Sequence, residues 1–329
     1  MMENLLELRD VSKAYRVGGL LSRIFVNAIE DIQLELKAGE ILSLVGESGC
    51  GKTTTGKVAV GLIKPTRGKV LYKGKDIWSM KKHEFKDYRK DVQMIHQDPY
   101  SSLNPVLTVY QILSSPLFRH SIVQNKEQAI SKIEELLELV DLTPPEQYIS
   151  KYPHQLSGGE RQRVVIARTL TLNPKLIVAD EPVSMIDVSL RASILNILLD
   201  LKEKFGVSYI YITHDLLTAK YFSKDYRLAI MYLGGIVEMG RTDKTINDPI
   251  HPYTKALLSA LPEPDPKVTR SKKTMQLRSL DVPSLLRVPE GCRFHPRCPF
   301  FKEGVCDKER PRLVEVEKDR FVACFLYES

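Results

Sequence analysis

The sequence of 329 residues has no long apolar run. Nothing in it approaches the roughly 20 residues a bilayer-spanning helix needs. If the protein works at a membrane, other chains must supply the span. A leader is not expected either: Met1-Met2-Glu3-Asn4 lacks a basic start, and Glu7, Arg9 and Asp10 interrupt Leu5–Val11. Tryptophan occurs once and aromatics make up 8%. The basic clusters Lys81-Lys82, Lys267–Lys273 and Arg287–Arg297 do not alternate with aromatics as single-strand binders do, so the net charge of +7 is weak evidence for nucleic-acid binding. Internal repeats are absent. Of only five cysteines, Cys50 stands alone, and the other four crowd residues 292–324.

What is there is organised around Gly46-Glu47-Ser48-Gly49-Cys50-Gly51-Lys52-Thr53, which fits G-x-x-x-x-G-K-S/T. The apolar run Ile41–Val45 before it reads as a buried parallel strand, and Thr53–Leu62 after it as a helix. Glycines let the backbone wrap an anion, and N–H groups at a helix start point at it. Lys52 suits β- and γ-phosphates, and the Thr53 hydroxyl suits Mg²⁺. A Gly-rich turn that binds nothing would not need this lysine and threonine in a strand–loop–helix setting.

Two further stretches carry matching chemistry. The run Leu176–Ala179 ends in Asp180-Glu181, where one carboxylate can hold Mg²⁺ and the next can act on water. Leu156-Ser157-Gly158-Gly159-Glu160 precedes an apolar helix, Arg161–Leu170. Ser157 and Glu160 have the spacing of a capping box, a structural role, and the Ser-Gly-Gly turn is also an anion site. Two anion cradles for one phosphate chain imply that two subunits share each nucleotide.

Along the chain, Leu5–Val11 and Ile32–Leu36 read as strands, with Tyr15–Asn27 as an excursion between them. Val70–Ile77 and Val92–Gln97 read as further strands. Asp98–Pro105 is turn-rich. In Lys126–Leu142, Ile130, Ile133, Leu136, Leu137 and Val140 recur at helical spacing. Val188–Phe205 reads as a helix stopped by Gly206, Ser208–Thr213 as a strand, and Arg227–Leu233 with Ile236–Met239 as a hairpin. The alternation implies an α/β fold with a mostly parallel sheet. Pro262–Pro266 marks a linker, and the weakly periodic remainder reads as a separate module.

These residues resemble the ATP-binding cassette (ABC) ATPases. The P-loop is Gly46–Thr53, the signature motif Leu156–Glu160, and the Walker B motif Leu176–Glu181. Gln97 falls at the family's Q-loop, His214 at its switch histidine and Asp187 at its D-loop, and Tyr15 at the distance to stack on adenine. Val183, Met185 and Ile186 depart from the usual D-loop. Within the family, Gln97–Pro105, His251–Ala260 and the cysteine-bearing tail resemble oligopeptide and dipeptide importer ATPases.

The resemblance implies a P-loop NTPase (RecA-like) core with an N-terminal antiparallel β part. It implies a nucleotide-binding domain over 1–260, an inserted helical subdomain over about 99–165, and a small irregular cysteine module over 261–329. ATP would be held by Tyr15, residues 46–54 (Thr54 included) and Asp187, with Ser157, Gly158 and Gly159 closing on the nucleotide of the other subunit. Mg²⁺ would be held by Thr53, Gln97 and Asp180. Glu181, His214 and Gln97 would be catalytic. Implied partners are a second ATPase subunit (identical or paralogous), two permease subunits and an extracytoplasmic solute-binding protein, with no nucleic acid. The expected place is the cytoplasmic face of the cell membrane. Oligosaccharide or nickel cargo, and a cassette ATPase acting on nucleic acid or ribosomes, are the alternatives.

Cys292, Cys298, Cys306 and Cys324 follow C-x5-C-x7-C-x17-C, a set of four thiols suited to Zn²⁺ or an iron–sulfur cluster. The spacing alone does not choose. The importer resemblance implies a 4Fe–4S cluster, with structural zinc and free or disulfide-bonded thiols as the alternatives; Arg293 and Arg297 stand close enough in sequence to offset a cluster's charge.

Overall fold

The computed structural model describes residues 4–18, 24–261 and 274–328. Gly19, the Pro262–Pro266 linker and the Lys267–Lys273 run lie outside them. The chain divides into two compact units: Met1–Leu5, Leu36–Glu40 and Tyr72–Ile212 form one, and Leu6–Glu35, Ile41–Leu71 and Thr213–Ser329 the other.

The first unit is built on parallel strands. Val92–Ile95 pairs with Leu176–Asp180, which pairs with Ser208–Thr213. Leu176–Asp180 is buried at every position, as an unbroken apolar run between covered faces requires. The register sets Ile95 beside Ala179 and Asp180 beside Ile212. Gln97 and Glu181 thus leave the sheet at the same carboxyl edge, where open α/β sheets bind ligands.

Helices follow. Lys126–Glu138 buries Ala129, Ile133, Leu136 and Leu137 along one stripe. Asn125 caps its start by accepting from the Gln128 N–H at 2.9 Å. Val188–Phe205 ends at Gly206 with φ 67°, the left-handed stop that glycine adopts without a Cβ clash. Short helices Pro99–Ser102 and Glu146–Ile149 and the longer Val109–Arg119 and Gly158–Leu170 complete this unit's helical stretch.

In the second unit, Ile41–Val45 pairs in parallel with Arg227–Tyr232, which forms an antiparallel hairpin with Gly235–Arg241. The hairpin turns through Leu233 and Gly234, both at positive φ. The sheet continues into the tail: Arg320–Val322 pairs with Gly235–Arg241, and Val314–Glu317 with Arg320–Val322. Those two strands are only a few residues long, too short for the alternation of the tail to show as a pattern.

Several element boundaries differ from those expected, two of them with a clear cause in the backbone. The first strand, Asn4–Val17, runs through Tyr15, and the next begins at Ile24, so the expected excursion is shorter. Val70–Ile77 is not one strand: Arg67–Tyr72 ends where Lys73 and Gly74 turn at positive φ. Among the described residues, no helix is long and apolar enough to cross a membrane.

Candidate functional site

Ile41–Val45, fully buried, delivers the chain into the glycine loop, and Lys52–Ala59 carries it away as a helix. The loop is tight where it must be. A Cβ on Gly46 would run into the Met231 carbonyl oxygen and come within 2.8 Å of the Cys50 sulfur. Gly51, at φ 104°, caps the helix, and a Cβ there would collide with Ala28 and Ile29. Lys52 is only 5% exposed. Its ammonium donates to the Gly46 carbonyl at 2.7 Å and the Glu47 carbonyl at 2.9 Å, so the loop curls around the charge it would present to a phosphate. Cys50 is buried, and burial pushes its thiol above the usual range. Such a cradle, closed to side chains at Gly46 and Gly51 and centred on a buried ammonium, fits a polyphosphate. Thr53 and Thr54 lie in the first turn of the helix.

Tyr15 sits near the end of its strand at 36% exposure, with the Lys13 ammonium 5.5 Å from its ring centre. His214 is exposed directly after Ser208–Thr213, and the Asp215 carboxylate caps the next helix by accepting from the Leu217 N–H at 2.8 Å.

In the other unit, the Gln97 amide Nε2 donates to the Glu181 carboxylate at 3.1 Å. Asp180 ends its strand at 3% exposure. Glu181 takes φ 47°, a conformation rare outside glycine, and its N–H donates to the Ile212 carbonyl at 2.9 Å. The kink turns consecutive carboxylates to different environments. An oxygen donor at a buried strand end suits a hard divalent ion.

Ser157 caps Gly158–Leu170 in a reciprocal box: its hydroxyl accepts from the Glu160 N–H at 3.3 Å, and its N–H donates to the Glu160 carboxylate at 2.7 Å. A Cβ on Gly158 would have only the Met185 carbonyl near it, at 4.0 Å, so this turn is open. The same helix grips the loop that follows Gln97. Arg168 donates to the Ser102 carbonyl at 2.6 Å, and the buried Arg161 guanidinium lies 3.9 Å from the Tyr100 ring centre. Asp187 is exposed just before Val188–Phe205, while the D-loop residues Val183 and Ile186 are buried. Two of the apolar departures there are therefore packing residues, whereas Met185 is exposed.

The cysteines require a correction. Cys292, Cys298, Cys306 and Cys324 are free thiols lining a cavity of about 20 Å³, room for about one water, together with Pro252, Phe294, Phe300 and Leu326. Among the described residues, no group of three or more His, Cys, Asp or Glu side chains is arranged to hold a metal ion. The 4Fe–4S cluster and its zinc alternative are thus not supported. Burial pushes the Cys292 thiol up to about 12 and the Cys298 thiol up to about 11, which keeps both neutral. Cys298, Cys306 and Cys324 are buried and Cys292 partly so, as small side chains packed in a lean core. Arg293 and Arg297 answer carboxylates rather than a cluster: Arg293 pairs with Glu30 at 2.6 Å and Arg297 with Glu47 at 3.1 Å. Nothing in the sequence spacing signals either pair, because the partners lie some 250 positions apart.

The ABC transporter family matches residues 29–184, and the family "Oligopeptide/dipeptide transporter, C-terminal region" matches 237–306. The chain belongs to the ABC transporter ATPases. It is 42% identical to the oligopeptide transport ATP-binding protein AppF of Bacillus subtilis, covering 99% of this chain and 98% of that protein. It is 44% identical to the oligopeptide transport ATP-binding protein OppF of Salmonella typhimurium, over 88% and 84% respectively. To the di/tripeptide transport ATP-binding protein DppF of Pseudomonas aeruginosa it is 39% identical, over 98% of both. Among solved structures, the dimeric ATP-binding cassette MJ0796 in a post-hydrolysis state with ADP and Pi is similar at a TM-score of 0.64 and 29% identity, covering 72% of this chain and 98% of that one.

Proposed function

We propose that the chain is the ATP-hydrolysing subunit of an importer for small peptides. The observation that carries this is the joint match of one chain to the cassette and to the oligopeptide/dipeptide C-terminal region, with similarity to peptide-transport relatives over nearly its whole length. On this reading it acts as one of two cassettes, identical or paralogous, at the cytoplasmic face of a membrane. Two permease subunits span the bilayer, and an extracytoplasmic binding protein delivers the peptide. The helical stretch from residue 99 onward, with Tyr100 62% and Val106 73% exposed, offers apolar surface for a permease.

The roles of the residues are those the family resemblance implies, and their chemistry suits them. Tyr15 stacks on adenine. The N–H groups of residues 46–54 and the Lys52 ammonium hold the phosphates, and Ser157, Gly158 and Gly159 of the other cassette close on the γ-phosphate, with Asp187 near that junction. Glu181 orients the attacking water and accepts its proton as the bond from the γ-phosphorus to the β-bridging oxygen breaks, releasing ADP and phosphate. His214 donates to the γ-phosphate oxygens. Gln97, hydrogen-bonded to Glu181, reports the state of the carboxylate to the loop that Arg168 and Arg161 grip. Thr53, Gln97 and Asp180 carry oxygens for Mg²⁺, which when bound offsets phosphate charge.

The test is reconstitution with the permease pair and binding protein in lipid vesicles. Peptide should stimulate hydrolysis and accumulate inside. Stimulation by an oligosaccharide or nickel, with none by peptides, would refute the cargo. Stimulation by DNA or ribosomes alone would refute the importer.

A further inference from the structure

Glu47, the second residue of the glycine loop, is held at three points. Its carbonyl accepts from the Lys52 ammonium at 2.9 Å. Its N–H donates to the Tyr253 hydroxyl at 3.2 Å. Its carboxylate accepts from the Arg297 guanidinium at 3.1 and 3.3 Å. Tyr253 and Arg297 lie outside the cassette motifs, in Pro252–Ser259 and in the cysteine-bearing tail. Both are built in firmly. Arg297 is 8% and Tyr253 1% exposed. The Tyr232 and Tyr253 rings lie 4.5 Å apart, Phe294 of the tail stands 5.4 and 5.5 Å from them, and the Arg297 guanidinium is 5.7 Å from the Phe294 ring. Arg297 also lies 3.4 Å from the Tyr232 hydroxyl.

We propose that Arg297 and Tyr253 are positioning residues for nucleotide binding, with Arg297 of the tail fixing the Glu47 side chain, Tyr253 fixing its backbone N–H, and the Glu47 carbonyl in turn holding the Lys52 ammonium. The proposal rests on the reading of Lys52 as the phosphate-binding lysine. A charge-assisted hydrogen bond shielded from water is strong enough to hold a loop in one place. Arg297 and Tyr253 grip different atoms of the same residue, so together they restrict both its side chain and its peptide plane. Pre-setting the loop in this way removes an ordering step from ATP binding. By linkage, occupancy of the glycine loop then tightens the tail around Arg297.

The experiment uses the full-length chain, with ATP and Mg²⁺ affinity measured by calorimetry and KM and kcat by steady-state hydrolysis. Arg297→Gln should weaken ATP binding about three- to ten-fold and raise KM by a similar factor, with kcat held within about two-fold, the pattern of lost uniform binding. Arg297→Lys should recover part of the affinity. Glu47→Gln should weaken binding similarly, and the double variant should be no weaker than either single one, since both remove the same contact. Thermal denaturation without nucleotide separates this from simple unfolding: a merely structural role lowers the melting temperature and leaves the affinity of the folded fraction unchanged, which would overturn the proposal. Additive losses in the double variant would overturn it too. Lys52→Ala is the control. If it binds ATP like the wild type, the phosphate reading of Lys52 fails. If it loses ATP while Arg297→Gln and Glu47→Gln keep wild-type affinity, only the positioning role fails.

Discussion

The amide of Gln97 and the carboxylate of Glu181 meet at 3.1 Å, although 84 positions separate them in the chain. The contact exists because two parallel strands in register end together, and it directs an amide hydrogen at the group proposed to work on water. Glu181→Gln keeps the shape of the side chain and removes its basicity. ATP hydrolysis should fall on the order of 100- to 1,000-fold, in the range general-base removal produces, while ATP binding persists. Steady-state phosphate release and nucleotide retention on the same preparation check both halves; near-normal release would remove Glu181 from the mechanism.

Gly46 and Gly49 make opposite demands on a methyl group. At Gly46 the obstacle is the Met231 carbonyl, backbone that cannot swing aside. Gly46→Ala should therefore destabilise the nucleotide-free chain by about 2–3 kcal/mol through overpacking. At Gly49 there is open space around the added carbon but φ is +77°. Gly49→Ala should cost only about 1–2 kcal/mol, from backbone conformation alone. Urea unfolding of the two variants in parallel would expose a wrong ranking at once.

Ser157 has two jobs to separate, a helix cap and a proposed contact with the other cassette's nucleotide. Glycine tolerates the cap position nearly as well as serine, so Ser157→Gly should lower stability by only a few tenths of a kcal/mol. Hydrolysis should nevertheless drop on the order of tenfold or more, because a donor to developing phosphate charge is gone. If turnover per folded chain is unchanged in Ser157→Gly, the residue is a cap and nothing else.

His251 is 1% exposed, and burial holds its pKa down to about 3. Its ring Nδ1 accepts from the Tyr253 N–H at 3.0 Å, which needs the neutral ring. An unfolded histidine titrates near 6.5, so between about 6.5 and 3 the unfolded chain binds more protons. The stability this group contributes is complete above about pH 6.5 and is lost as pH falls through that window, at up to about 1.4 kcal/mol per pH unit. Buried Glu238, which accepts from the Ile250 and His251 N–H groups, has its pKa raised mainly by burial and works in the opposite sense above its unfolded value. His251→Gln should therefore flatten the acid limb of the stability–pH curve. Denaturant midpoints from pH 7.5 to 5 test this; parallel curves for both proteins would contradict it.

Local chemistry was the legible part of this chain. The glycine loop, the capped turn at Ser157, the apolar run ending in Asp180-Glu181 and the stop at Gly206 each need residues only a few positions apart, and each appears where its pattern points. The pairing of Gln97 with Glu181 and of Arg297 with Glu47 depends on strand register and on tail packing, which no local pattern encodes. The cysteines misled for a related reason. Four thiols in a short stretch suggest a ligand set, but neither their number nor their spacing tells a metal site from a wall of small buried side chains. Tyr15 opens the expected excursion between strands, whereas the first strand carries the backbone on to Val17.

The tail strands Arg320–Val322 and Val314–Glu317 carry one more consequence. Arg320–Val322 pairs with Gly235–Arg241 and Val314–Glu317 with Arg320–Val322, which covers a hydrogen-bonding edge of Gly235–Arg241 that would otherwise stand open. They also bring Arg320, 2% exposed, to 3.9 Å from the fully buried Glu238 carboxylate. A chain shortened to its cassette motifs would present that edge to any passing strand, with a buried anion stripped of its cation behind it. The tail thus moves the sheet edge from the seven-residue Gly235–Arg241 to the four-residue Val314–Glu317, and short edge strands offer less to pair with.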